Sequence, residues 1–414
     1  MKILIVGAGI GGLTTALSLH KAGFEVHIYE SSAEIKALGV GINVLPHAVR
    51  VLTNLDLLDN MLNIAVPTSE LRYFNKFGQQ IWQEPRGKFA GYLWPQLSIH
   101  RGGLMTILLD AVKAAIGGDH IHTGHHLKNC KNKGGKVIAT FISKGSDEKI
   151  ATVEGDVLIG ADGIHSVVRK QFYPDEGIPK FSGIILRRGT AMAKPFLSGS
   201  TMIMAGSIGK KFIAYPLSTK ADEQGNLLTN WIADLRVAPD SEISRDWNRR
   251  ADKQQLLAEF ESWEFDWLDV PEMIGGADEI YEYPMSDRDP LPQWSFERIT
   301  LLGDAAHPMY PIGSNGASQA ILDAEFLTAS LVQNADVSKA LKTYQDVRIP
   351  ETSAITMQNR QIGPEQVMEM VEERAPEGFT NLYDVISKDE LEEVAARYKK
   401  IAGFEKETLN AKAK

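Results

Sequence analysis

Short apolar runs alternate with helix-length stretches along this chain, starting at its first residues. Lys2 to Val6 (KILIV) reads as a buried parallel strand, since it is apolar and β-branched beyond its first position. Gly7, Gly9 and Gly12 follow as G-x-G-x-x-G. A helix over Leu13 to Lys21 then closes at Gly23, and a second strand over Glu25 to Tyr29 ends at Glu30. The strand–turn–helix pattern recurs twice. Asp156 to Gly160 predicts a strand, Asp162-Gly163 a turn, and Ser166 to Lys170 the start of a helix carrying Arg169. Arg298 to Leu302 predicts a strand closed by Gly303-Asp304. Ala317 then begins a helix to about Val332 that contains Asp323 and Glu325.

Between these segments the pattern favours strands. Leu71 to Trp82 reads as a hairpin around Asn75–Gly78. Lys136 to Ile159 holds three strand-like runs, broken at Gly145-Ser146-Asp147 and at Glu154-Gly155. Phe181 to Asp234 is a second strand-rich region, carried by IILRRGTAM, TMIMAGS, KKFIAYPLS and LLTNWIADL, the last ending at Leu235. Asp252 to Glu261 predicts a helix. Beyond Gly363 lie two amphipathic helices, Glu365 to Glu373 and Lys388 to Ile401, with Ser387 and Glu390 at capping-box spacing. Their charges read as the solvated face of a packing or dimer appendage.

Composition narrows the class. At 414 residues the chain exceeds one compact core, so two domains are expected. Its net charge of −9 argues against nucleic acid or an anionic membrane as partner. No run reaches the ~20 apolar residues needed to span a bilayer. MKILIVGAGIGG is broken by glycines too early for a signal peptide. The single cysteine, Cys130, excludes an internal disulfide and suits a reducing, cytoplasmic setting; it reads as a small strand residue.

The chemistry lies in the turns. In G-x-G-x-x-G the first glycine makes the turn, the second lets backbone approach a pyrophosphate, and the third lets helix and strand pack closely. An acid at the end of the second strand accepts from ribose hydroxyls. This fingerprint implies a dinucleotide without separating FAD from NAD(P). The loop Ala305 to Gly316 is stiffened by Pro308 and Pro311 and freed by Gly313 and Gly316. It precedes a helix N-terminus, whose free N–H groups suit a group that becomes anionic. Gly316 is expected to mark a close backbone approach there. His307 reads as a structural loop histidine. His125-His126 has no evident partners, and no metal-ligand cluster is apparent.

In this order, GAGIGG (7–12), GADG (160–163) and GDAAHPMYPIGSNGASQAILDA (303–324) resemble the class A flavoprotein monooxygenases. These are the single-component aromatic hydroxylases of the p-hydroxybenzoate and salicylate hydroxylase type. LGVGIN (38–43), PTSELRY (67–73), SIHRGGL (98–104) and YPMSDRDPLPQW (283–294) are similar to the branch that oxygenates a methylated phenazine carboxylate. The resemblance covers about residues 1–362.

It implies an α/β (α+β) fold: a Rossmann-like FAD-binding domain from 1–70, 100–175 and 285–362, a strand-rich substrate domain from 71–99 and 176–284, and a helical tail over 363–414. It further implies non-covalent FAD, NADH or NADPH as co-substrate, O₂, and a small aromatic or N-heteroaromatic substrate hydroxylated by a flavin C4a-hydroperoxide. No metal, nucleic acid or membrane is expected, and the protein is a monomer or homodimer. Gly7, Gly9, Gly12 and Glu30 would hold the ADP half of FAD. Arg101 would reach its phosphate region, and the Leu127 backbone its adenine. Asp162 would centre a motif serving both FAD and NAD(P)H. Asp304 would bond the ribityl or pyrophosphate region, and Gly316 and Ala317 would offer N–H groups to the flavin ring.

Tyr215 is the first candidate for contact with a substrate hydroxyl or amine, its other reading being a core aromatic. Pro311 and Ile312 would line the pocket, their carbonyls polarising the substrate. Arg187-Arg188 stands where relatives often carry an aromatic residue. Strand alternation places at most one of the two inside, where it would pair with a carboxylate. Two alternatives stay open: a flavin-binding redox sensor signalling through the C-terminal helices, and a flavin halogenase. The halogenase Trp-x-Trp-x-Ile-Pro stretch is absent, and Trp263 to Trp267 does not match it.

Overall fold

The computed structural model describes residues 1–36, 39–146, 148–238 and 249–412. Leu38, which opens LGVGIN, and Asp147, in the turn expected after Gly145, lie outside the described residues.

The three predicted turn segments meet in one sheet. Its order is Ser295–Phe296, Ile299–Leu301, Val157–Gly160, Lys2–Val6, Glu25–Tyr29 and Ile121–His122, parallel apart from the first edge pair. Lys2–Val6 shows why its strand lacks alternation: both faces are covered. Ile5 faces the helix Ile10–Lys21, where a Cβ on Gly12 would come within 3.5 Å of its Cγ2. Leu4 faces a three-stranded antiparallel layer, His126–Lys133, Lys136–Ile142 and Lys149–Gly155, where a Cβ on Gly155 would meet it at 2.7 Å. Cys130 is buried in that layer. Four to five consecutive apolar positions are the outcome of such two-sided burial.

A seven-stranded sheet runs in the order Tyr281–Asp287, Lys180–Ala193, Leu227–Arg236, Lys210–Ala221, Thr201–Ser207, Glu70–Phe74 and Gln80–Pro85. Its pairs are antiparallel except Thr201–Ser207 with Glu70–Phe74. One face packs Phe74, Ile203, Phe212 and Trp231 against the helices Lys253–Phe260 and Val270–Gly275. The other sets Leu71, Tyr73, Met202, Met204 and Ile213 against the C-terminal helices Gln366–Arg374 and Lys388–Ile401. The C-terminal segment is therefore half of this sheet's core. Ser387 and Glu390 do form a capping box.

Several expectations are corrected. Two helices begin earlier than predicted, at Ile10 and Gly316, because glycines populate their first turns. Two strands begin one residue later than expected, at Val157 and Ile299. Helix Val337–Arg360 runs straight through Pro350, which hides it from pattern reading. A small sheet of Gly41–Val44, Leu97–His100 and Val66–Pro67 is too short for any period to reveal. Among the described residues no helix is long and apolar enough to cross a membrane.

Candidate flavin and substrate site

The glycines of the first turn divide their work. Gly7 has φ +104°. A Cβ there would lie 2.3 Å from the Ala161 carbonyl oxygen, so Gly7 packs the first turn onto the second. A Cβ on Gly12 would lie 2.0 Å from the Gly7 carbonyl oxygen. Gly9 meets nothing within 4 Å: its bare face opens on free space. The helix beginning at Ile10 has no side-chain cap, so the N–H groups of its first turn face that space as an anion site. A pyrophosphate fits this cradle. Glu30 accepts from the Ala8 N–H at 2.9 Å and the Ser32 N–H at 2.8 Å, fixing the rim. Leu127 is buried opposite Phe141, whose ring stacks on Tyr29 at 4.3 Å. His125 is not partnerless, since its Nδ1 lies 2.8 Å from the Thr123 carbonyl oxygen and its ring is near Tyr29.

Asp162 turns inward. Its carboxylate accepts from Ser166 Oγ at 2.6 Å and from the Val167 N–H at 2.7 Å, capping the helix Val167–Phe172. Burial raises its pKa against these bonds. Asp304 and Arg101 behave differently. Both side chains are solvent-exposed, yet protein crowds them enough that burial raises the Asp304 pKa and lowers that of Arg101. That combination describes the floor of a deep cleft. Arg101 lies against Gly39, and Asp304 Oδ1 is 4.0 Å from where a Cβ on Gly316 would stand. Sequence positions 39, 101, 304 and 316 thus converge. The helix from Gly316 again lacks a side-chain cap, leaving the Gly316 and Ala317 N–H groups available.

The loop before that helix is anchored from behind. Asp323, fully buried, accepts from the Gly303 N–H at 2.9 Å, His307 Nε2 at 2.6 Å and Arg348 Nε at 2.7 Å. Arg169 donates to the Ala306 carbonyl at 2.8 Å. Gly303, His307 and Asp323 fall within the 303–324 motif, whereas Arg348 and Arg169 come from other elements with no local signal. Burial alone would raise the Asp323 pKa, but the charges and hydrogen bonds of His307 and Arg348 hold it at about 2, below its ordinary 3.8. A depressed carboxylate stabilises the fold above its unfolded pKa and loses that contribution as pH falls through the folded one. The loss is expected between about pH 4 and pH 2 and is worth about 2 kcal/mol. Melting temperature measured against pH should show this acid limb, and Asp323→Asn should flatten it.

Gly313, not Gly316, is the left-handed glycine of the loop, with φ +68°, followed by Ser314 at φ +58°. Gly316 is simply the first helical residue, so a strain argument does not apply to it. Ile312 is buried against Ile184, Leu186 and Met285. Its carbonyl lies 3.2 Å from the Tyr398 hydroxyl, a contact that engages one of its two lone pairs. Pro311 starts the short 3-10 turn Ile312–Ser314.

Of the paired arginines, Arg187 reaches Glu282 at 3.0 Å on one face of the sheet. Arg188 points to the other face and donates to the Gly41 carbonyl at 2.7 Å. It also hydrogen-bonds Tyr215, whose pKa burial pushes up to about 12. The Arg188 Nε is buried and has no hydrogen-bond partner among the described residues. Among those residues, too, no group of three or more side chains is placed to hold a metal ion.

Comparison with known proteins agrees with this geometry. The family model described as FAD binding domain matches residues 1–359. Phenazine 1,6-dicarboxylic acid hydroxylase of Lysobacter antibioticus is 43% identical over 361 residues, 86% of this chain and 89% of that protein. 6-Hydroxynicotinate 3-monooxygenase of Bordetella bronchiseptica is 28% identical over 366 residues, 86% and 89% of the two chains. Klebsiella pneumoniae HpxO complexed with FAD and uric acid shares the fold, with a TM-score of 0.76 at 23% identity over 99% of this chain and 96% of that one. With a match over nearly all of the chain and a cleft whose glycines and helix N-termini fit a flavin dinucleotide, the protein belongs to the FAD-binding-domain family, among the flavoprotein monooxygenases that hydroxylate aromatic and heteroaromatic rings.

Proposed function

We propose that this enzyme uses NADH or NADPH to hydroxylate a planar N-heteroaromatic carboxylic acid of the phenazine type. The observation that carries the reading is Arg188, a half-buried cation bonded to Tyr215 whose buried Nε has no hydrogen-bond partner among the described residues. A guanidinium with a free, buried donor suits a carboxylate. LGVGIN (of which the structure describes Gly39 onward), PTSELRY, SIHRGGL and YPMSDRDPLPQW support the ring class. They resemble 5-methylphenazine-1-carboxylate 1-monooxygenase, and the 43%-identical relative is by name a phenazine dicarboxylate hydroxylase.

Bound FAD would supply the redox chemistry, taking electrons from NAD(P)H and passing one oxygen atom of O₂ to the ring. The protein positions and shields. Gly7, Gly9, Gly12 and Glu30 would hold the ADP half, Arg101 and Asp304 the middle, and the N–H groups of Gly316 and Ala317 the ring edge where negative charge develops. Ile184, Leu186, Met285 and Ile312 form an apolar wall that keeps water out. Tyr215, with its raised pKa, stays protonated near neutrality and would donate to a substrate oxygen or nitrogen. A cleft of about 630 Å³ opens beside the Asp162 turn, bordered by His165, Lys170 and Arg288. Lys170 on this rim, with Arg288 held by Glu176, would meet the phosphates of the reduced nicotinamide cofactor.

The test is a panel of phenazine carboxylates, hydroxynicotinates and hydroxybenzoates, scored for stimulated NAD(P)H oxidation and for a product carrying one added oxygen atom. Phenazine carboxylates should stimulate most. If no ring acid does, the redox-sensor alternative gains. Asp304→Ala should leave the fold intact and weaken FAD binding by roughly 10–150-fold, the worth of one charge-assisted hydrogen bond. Unaltered affinity would assign Asp304 to the turn alone.

A further inference from the structure

Tyr398 lies on the helix Lys388–Ile401, outside the stretch matched by the family model. Its hydroxyl is buried against the loop that faces the flavin cleft. It accepts from Asn315 Nδ2 at 2.8 Å and lies 3.2 Å from the Ile312 carbonyl oxygen and 3.0 Å from Asn359 Oδ1. A hydroxyl has one proton, so those two acceptors share it. Asn359 in turn donates to the Tyr310 carbonyl at 3.0 Å. A Cβ on Gly313 would sit 1.9 Å from the Tyr398 oxygen, and one on Gly363 would meet Ile312 Cγ2 and the Tyr398 ring at 3.0 Å. The outer side of residues 310–315 is therefore moulded onto the tyrosine. In the monooxygenase reading the inner side would face the substrate, with Ile312 buried against Ile184, Leu186 and Met285.

We propose that Tyr398 is a positioning residue: through it the C-terminal segment fixes the path of residues 310–315, and so the fraction of NAD(P)H oxidation that ends in hydroxylation. This rests on the monooxygenase reading above. Each NAD(P)H delivers two electrons to one O₂. In the coupled route one oxygen atom enters the ring and the other leaves as water. In the uncoupled route both leave as hydrogen peroxide. A loop free to shift admits water and misplaces the ring, which favours the second route.

The experiment compares the FAD-loaded parent with Tyr398→Phe, which removes only the hydroxyl. Arg374→Ala, which breaks an exposed ion pair with Glu390 in the same segment, is the control for general loosening. Amide exchange read by mass spectrometry should rise about tenfold in residues 310–319 of Tyr398→Phe, the effect of losing one net hydrogen bond. FAD content should be unchanged, while product per NAD(P)H falls several-fold and hydrogen peroxide rises to match. Arg374→Ala should move neither readout. Unaltered exchange in Tyr398→Phe, or raised exchange with an unaltered product ratio, overturns the proposal. The exchange arm needs no substrate, so failure of the hydroxylase reading would appear separately, as absence of oxygenated product from the parent enzyme.

Discussion

Lys211→Met is expected to lower the unfolding free energy by about 3–5 kcal/mol, the usual cost of removing one partner from a buried ion cluster. Lys211 Nζ lies 2.9 Å from Asp234 Oδ2 and also bonds Glu365, and the three side chains are 5%, 2% and 4% exposed. Burial alone would drive the proton off this amine; Asp234 and Glu365 outweigh burial and hold it on. Methionine fills much of the same space without the charge. Two carboxylates would then face each other in a dry core, held between the seven-stranded sheet and the C-terminal segment. Urea unfolding gives the measurement. Replacing all three residues together with apolar side chains should recover most of the loss, because no uncompensated charge then remains. A single variant that loses under about 1 kcal/mol would mean that the cluster is not dry.

The second large effect separates two glycines three positions apart. Gly12→Ala drives a Cβ to 2.0 Å from the Gly7 carbonyl oxygen, a rigid backbone atom. The helix Ile10–Lys21 must back away from its strand, at a cost of about 1–3 kcal/mol or more, and FAD binding should collapse with it. Gly9→Ala meets nothing within 4 Å of protein. The unfolding midpoint of its apoprotein should match the parent's. FAD affinity should nevertheless fall by at least about tenfold, since a methyl group would occupy the path of the pyrophosphate and disturb a charged hydrogen bond. Calorimetry of apoprotein and holoprotein distinguishes the cases. Equal damage to apoprotein stability by both variants would show that the open face at Gly9 is not where the cofactor lies.

What could be read in advance follows from distance along the chain. The glycine fingerprint, the strands Lys2–Val6 and Glu25–Tyr29 and the Ser387 capping box are local patterns, and their physics operates within a few residues. Thr201–Ser207 shows a limit: six successive buried positions mark a strand without telling which face holds the pocket. Alternation did separate Arg187 from Arg188, but only the fold shows their partners, Glu282 for Arg187 and the Gly41 carbonyl for Arg188. In the flavin-facing loop, Gly313 and Gly316 look equivalent as letters. Only Gly313 is left-handed, and a Cβ there would collide with Tyr398, 85 residues downstream. The Lys211 and Tyr398 clusters were illegible for the same reason, since each is assembled from elements with no shared local motif, and the Asp323 cluster lies within one motif but takes Arg348 from another helix.

The cradle strand order, Ile299–Leu301 beside Val157–Gly160 beside Lys2–Val6, has a consequence for biosynthesis. A ribosome adding about 5–20 residues per second takes about 15–60 s to travel from the first of these strands to the last. For about the first half of that interval the strand pair Lys2–Val6 with Glu25–Tyr29 waits for Val157–Gly160, and from then on the open edge is that of Val157–Gly160, which waits for Ile299–Leu301. The cradle is complete only after Ile299–Leu301 and the helix Gly316–Gln333 have been made, so the cofactor is expected to load late in synthesis or after it. Until then the unpaired edge is exposed on the emerging chain, where it invites pairing with other chains unless it is covered.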